Sequence, residues 1–201
     1  MNYFVRIGSY LLHPLLMPLL GALLYYIITP RYVESDIIRS KLAAVAIITV
    51  LIPVVTFFLL KNLRIISSIH LHEVKERKIP LMIQCILLLL VIKMVFDPYD
   101  NSEMYYFFVG VLFSGVSALI MVFFNFKVSL HQMGVAGLTM FAIALSIHFQ
   151  VNMLLWIGFF LIGNGWVASS RLEADAHSYI ELITGFFLGV LPQIMLLNLW
   201  L

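Results

Sequence analysis

Runs of roughly 20 nearly uncharged residues recur along the whole chain, at 9–29, 41–60, 80–96, 104–125, 132–149, 151–169 and 181–200. At about 1.5 Å of rise per residue, each is the length of α-helix that crosses a ~30 Å hydrocarbon layer. Water is absent there, so the backbone must satisfy its own hydrogen bonds, and helix is the way a single segment can do so. Apolar residues make up 63% of the 201 positions and charged residues 11%, against about 45–50% and about 25% in soluble domains. The expectation is an all-α, polytopic membrane bundle of six or seven transmembrane helices. Residues 1–201 form a single domain, because no Ser, Gly or Pro linker divides the runs.

The first run carries His13, Pro14 and Pro18 and lacks the basic start and small-residue cleavage site of a secretory signal, so it should remain in the mature protein. One cysteine, Cys85, excludes an intramolecular disulfide and a multi-cysteine zinc site. A net charge of +2 without a basic-aromatic stripe argues against nucleic acid as a partner. The expected location is a membrane, the inner one in a bacterium.

Polar connections lie at 30–40, 61–79, 97–103, 126–131 and 170–180. With seven spans, those at 61–79, 126–131 and 170–180 emerge on one face together with the amino terminus. That face then collects His70, His72, His131 and His177, with Lys75, Arg77, Lys78, Lys127 and Arg171; His148 falls at the far end of its helix. Imidazoles and cations gathered at one membrane surface suit an anionic headgroup, since Arg and Lys bind phosphate through charge-assisted hydrogen bonds. Setting these residues aside, basic residues divide evenly between the two faces and leave the orientation open.

The stretch "SRLEADAHSYIE" (Ser170 to Glu181) is the most informative. Arg171 and His177 are separated by about 600° of helical rotation, so they do not share a helix face, and the arginine is expected in the entering loop. Ser178 and Glu181 have the spacing of a capping box that starts a helix near Tyr179, with His177 beside free backbone N–H groups that favour an anion. Glu181 stands four residues from His177 and is open to two geometries: orienting the imidazole, or closing the capping box. The stretch also fits a plain solvated connection with a good cap.

Ser170-Arg171, five residues, His177, three residues, Glu181 resembles the third signature of the type 2 phosphatidic acid phosphatase superfamily, with glutamate where that pattern has aspartate. "VSLH" keeps Ser129 and His131 at the spacing of the second signature, with Val128 and Leu130 in place of proline and glycine. "HLHEVKERKIPL" offers Lys75, Arg77, Lys78 and Pro80 toward the first, but has His70 where the pattern has lysine. The resemblance covers about 70–190. It implies a metal-independent, cofactor-free hydrolase of a lipid phosphate or isoprenyl pyrophosphate working through a phosphohistidine. In it His177 is the nucleophile, Glu181 the orienting acid and His131 the general acid. Arg171, Ser129 and Arg77 bind phosphate, with Lys75 and Lys78 beside them.

Each residue also has a simpler role available. Ser129 could cap the helix after it, Arg77 and Lys78 could anchor a span at the headgroups, and 61–78 could form an amphipathic surface helix. Two other functions fit as well: a lipid-phosphate binder or translocase that has lost its chemistry, and a metal-dependent hydrolase built on His70, His72, His131 and Glu73. Gly185 and Gly189 are expected to permit close helix packing.

Overall fold

The computed structural model describes residues 3–68 and 73–201. Every regular element among them is helical. In chain order they are α1 (Tyr3–Leu11), α2 (Met17–Ile28), α3 (Ser35–Ala46), α4 (Ile52–Asn62), α5 (Lys78–Met94), α6 (Ser102–Phe123), α7 (Leu130–Phe149), α8 (Leu154–Glu173) and α9 (Tyr179–Leu196). The first two are broken at His13, whose ring accepts from the Leu15 amide and opens a short 3-10 turn, Pro14–Leu16. A π turn, Ile47–Leu51, joins α3 to α4 without a break in direction of the chain, just ahead of Pro53. Seven helical rods result, each overlapping most of one of the seven apolar runs.

Five of these rods, Ile7–Ile28, Ser35–Asn62, Ser102–Phe123, Leu130–Phe149 and Tyr179–Leu199, are long and apolar enough to cross a membrane. Helix α5 has 17 residues, about 25 Å of rise, and α8 ends in a polar turn with Arg171 and Glu173. These two differ from the simplest form of the expectation for those physical reasons: one is short and the other carries its charges inside the helix. The 61–78 region is not one amphipathic helix. Its described parts are turns after Asn62 and a 3-10 turn, Lys75–Arg77, while His70 and His72 lie outside the described residues.

Helix α7 is the hub, in contact with α2, α6, α8 and α9. Its Val135, Ala136, Leu138, Phe141, Ala142, Ala144 and Leu145 are all buried, and the small residues among them let neighbours approach. Gly137 and Gly189 bring α7 against α9: a Cβ on Gly189 would lie 2.9 Å from the Gly137 nitrogen, and one on Gly185 would lie 2.6 Å from the Ser129 carbonyl oxygen. A buried polar thread, Gln132 to Asn164 at 2.9 Å and Asn164 to Thr139 at 2.8 Å, links α7 to α8. Outward-facing Val55, Phe58, Leu59, Leu155, Phe159 and Ile162 remain exposed.

Helices α4, α6, α7 and α8 are each followed within two residues by one in the left-handed region: Arg64, Asn125, Gln150 and Asp175. At the Gln150 end of the bundle, buried Glu103 accepts from Arg31 at 2.7 Å and pairs with His148 at 3.0 Å. This closed ionic knot joins the starts and ends of α2, α6 and α7. The opposite end is arranged differently.

Candidate functional site

Three connections far apart in sequence are tied together at that opposite end. The Arg77 guanidinium donates through Nη1 to the Val128 carbonyl at 2.8 Å, joining the turn before α5 to the turn before α7. The next amide, Ser129 N–H, donates to the Glu181 carbonyl at 3.2 Å, joining that turn to the start of α9. Glu181 Oε2 in turn lies 2.7 Å from His177 Nδ1. A fourth tie, between the Ser9 and Ser170 hydroxyls, fixes α1 to α8 one residue before Arg171.

The two geometries open to Glu181 coexist. Its Oε2 accepts from His177 Nδ1 and, at 3.2 Å, from the Ser178 amide, while the Glu181 amide donates to Ser178 Oγ at 3.4 Å to complete the capping box. An ionised carboxylate can only accept, so it selects the tautomer with hydrogen on Nδ1 and leaves the Nε2 lone pair free. The His177 side chain is 5% exposed. Burial is the main cause that lowers its pKa below the ordinary 6.5; Arg77 and Lys127 act the same way and Glu181 opposes them. The imidazole is therefore neutral at pH 7. Burial likewise lowers the Lys127 pKa from its usual 10.5, aided by Arg77 and opposed by Glu181.

His177, His131, Arg171 and Arg77 line one cavity of about 450 Å³, together with Lys127, Tyr10 and His13. Among its described lining residues none is a carboxylate. Arg171 is not in a loop as expected: the chain stays helical through Glu173 and places the guanidinium in the last turn of α8. Its Nε is buried and has no hydrogen-bond partner among the described residues. His131, in the first turn of α7, bonds to the backbone of Ser9, and its ring meets the His13 ring edge-on at 5.1 Å between centroids.

Other expected residues sit elsewhere. Ser129 is fully buried as the cap of α7, its Oγ 3.5 Å from the Gln132 amide, and does not line the cavity. Lys78 places its ammonium 4.7 Å from the centre of the Phe123 ring, and Lys75 is exposed; neither lines the cavity. For Ser129 the simpler role of cap describes the contact made, and Lys78 sits at the start of its span as an anchor would. His13 and Tyr10 are the additions, and Lys127, expected among the cations of this face, lines the cavity as well. His13 has a signal in hindsight, a histidine directly before a proline inside an otherwise apolar run, which breaks the helix and turns the ring inward. Among the described residues no cluster of three metal-ligating side chains occurs.

Below the charged rim the cavity is walled by apolar side chains of α2, α5, α6 and α7, including Met17, Leu81, Leu88, Phe107 and Val111. Chemically the arrangement can hold an anion at the rim and an apolar group beneath it. No family of proteins, curated protein or solved structure matches this chain.

Proposed function

We propose that this chain is a multi-pass membrane phosphatase, its seven rods crossing the bilayer, that hydrolyses a phosphate or pyrophosphate ester of a lipid without a metal. The observation that carries the reading is the rim of the cavity. A buried Arg171 N–H without a partner, two further cations and three imidazoles surround a space that no carboxylate enters. Leaving the Arg171 N–H unsatisfied costs about 1–3 kcal/mol, a cost that a bound phosphoryl group removes.

In the proposed reaction, Arg171, Arg77 and Lys127 carry charge on the non-bridging oxygens. A phosphoryl dianion bound beside it would supply the charge that lets His131 take up a proton from solvent; the Nε2 lone pair of His177 then attacks phosphorus as the bond to the leaving oxygen breaks, and His131 gives that proton to the oxygen. Water then attacks the phosphohistidine. His131, now neutral, takes a proton from that water, and the N–P bond breaks to return neutral His177 and free phosphate. Glu181 holds the histidine tautomer throughout and is not consumed.

The test is phosphate release from lysophosphatidate, phosphatidate, phosphatidylglycerol phosphate and an isoprenyl pyrophosphate, in chelator. Turnover that disappears in His177→Ala is the expected result; full turnover in that variant refutes the assignment of the nucleophile. A second reading, a binder or translocase of lipid phosphates without turnover, is favoured by one observation. The Ser129 hydroxyl is buried and occupied by the α7 cap rather than available to a ligand. It predicts saturable headgroup binding, lost in Arg171→Ala, with no phosphate released from any lipid of the panel.

A further inference from the structure

The break between α1 and α2 brings to the cavity a side chain that the proposed reaction does not use. Proline has no N–H and holds the residue before it in extended backbone. His13 accordingly sits at φ −70° and ψ 136° ahead of the turn Pro14–Leu16, and its Nδ1 accepts from the Leu15 amide at 3.3 Å. This turn seats against α7 where that helix has a glycine: a Cβ on Gly134 would lie 3.5 Å from the Pro14 Cα and 2.9 Å from Met17 Cγ. Gly134 follows His131 by three residues on α7, so the close approach also holds the two imidazoles together. Their ring centres are 5.1 Å apart with planes at 83°, and both line the cavity with Arg171.

The bond to Leu15 fixes where the His13 ring carries hydrogen. A nitrogen that accepts from an N–H keeps its lone pair, so the hydrogen is on Nε2. A second proton would set an Nδ1–H against the Leu15 N–H and undo the turn. His13 is therefore built as a neutral donor, not as an acid or a base. No other hydrogen bond of this ring is made among the described residues, and the Nε2–H is the polar group it has left to offer the cavity. Neutrality also suits its neighbour. His131 has to take up a proton when the phosphoryl group binds, and a second cation in contact with it would oppose that.

Resting on the phosphoryl-binding reading of the rim, we infer that His13 is a further ligand of the lipid phosphate, donating through Nε2 to a phosphoryl oxygen beside His131 while its Nδ1 holds the turn that positions it. The two nitrogens can be replaced one at a time. Asparagine carries its amide oxygen on Cγ, where histidine has Nδ1, and is a good capping residue. Glutamine carries its amide nitrogen as many bonds from Cα as Nε2 is, and gives up the Nδ1 position.

The experiment measures equilibrium binding of methylphosphonate and decylphosphonate, which have no ester bond to hydrolyse, to the full chain in phosphatidylcholine nanodiscs, with thermal unfolding of the same samples. The natural protein should bind decylphosphonate more tightly, as expected of a site for a lipid phosphate. His13→Asn should keep the unfolding midpoint and weaken both probes by the same factor, about 10- to 100-fold, the worth of a hydrogen bond to a charged group. His13→Gln should restore most of that affinity and unfold about 2–4 °C lower for want of the cap. Four results overturn the inference: full affinity in His13→Asn; affinity that follows stability across the two variants; a loss confined to decylphosphonate, which would make the ring only a wall for the chain; or equal affinity of the natural protein for the two probes, which would make the ligand free phosphate. Arg171→Ala separates this from the reading of the rim. Methylphosphonate binding that is lost in Arg171→Ala and intact in His13→Asn keeps the rim and removes His13; no binding of either probe by the natural protein removes both. None of these readouts depends on turnover.

Discussion

At the scale of single residues, Glu181 does two jobs with one oxygen, and the jobs can be separated. A glutamine closes a capping box as a glutamate does, but it carries no charge to hold the Nδ1–H tautomer of His177. Glu181→Gln should therefore leave thermal stability nearly unchanged while lowering kcat by about 10²- to 10⁴-fold with KM little altered, in steady-state phosphate release. His177 makes a second prediction through pH. Its pKa is lowered by burial first and by Arg77 and Lys127 next, so the acid limb of kcat/KM should lie below 6.5. Lys127→Ala removes a cation that disfavours the protonated ring; the His177 pKa rises, and the limb should move to higher pH, by at most on the order of one unit. A limb that moves down, or stays, would contradict the electrostatic role given to Lys127. The two residues also mark what sequence can convey. The i to i+4 spacing of His177 and Glu181 displays both possible partners, but sharing one oxygen between them depends on where the helix begins, to a fraction of a turn. Lys127 could be placed on this face by counting spans, but its position on the wall of the cavity, unlike that of Lys75 and Lys78, follows from the folded connection before α7.

Elements show the same division. The seven apolar runs were legible because burial in lipid is a matter of composition over some twenty residues, and each run lies on a rod of the bundle. Their ends were less so: α8 continues through Arg171, because nothing in Ser-Ser-Arg-Leu-Glu stops a helix before Asp175 turns into the left-handed region. Gly185 and Gly189 were expected to permit close packing, and the contact they permit sets the distance between the two helix starts that carry His131 and His177. Any Cβ at Gly189 meets α7 backbone, which cannot rotate away as a side chain can. Gly189→Ala should therefore separate α7 from α9, lowering stability by about 1–3 kcal/mol and reducing turnover. Gly158, on α8, has nothing within 4 Å of a Cβ. Gly158→Ala makes the same chemical change in a helix and should be neutral or slightly stabilising, since alanine is the better helix former. Equal losses in the two variants, read by thermal unfolding in detergent and by phosphate release, would show that the α7–α9 contact has no special part in the site.

On the scale of the whole molecule, the two ends of the bundle are built for opposite purposes. One holds a buried carboxylate with its partners in place: Glu103 is buried between Arg31 and His148. The other gathers cations around a space without a carboxylate among its described lining residues, and that space continues down among mostly apolar side chains. Such polarity is useful only if the three connections at the rim share one side of the bilayer, which follows from an even number of crossings between them. Two of the crossings are the weak ones. Helix α5 spans only about 25 Å, and it has Lys78 at one end and Lys93 near the other, long side chains that can reach the headgroups from a short helix. Helix α8 carries Arg171 and Glu173 in its final turn, where the polar interface begins. If both cross, single cysteines placed at exposed Lys75 and Asp175 should react with an impermeant maleimide from the same side of sealed vesicles. Cysteines at exposed Tyr32 and Tyr99 should react only from the other. The natural thiol, Cys85, is buried and should stay silent without being replaced. Failure of α5 or α8 to cross has a distinct signature in each case. Loss of the α5 crossing would put positions 75 and 99 on one side; loss of the α8 crossing would put 175 opposite 75. Either result would leave the rim residues without a common surface, however closely the helices pack.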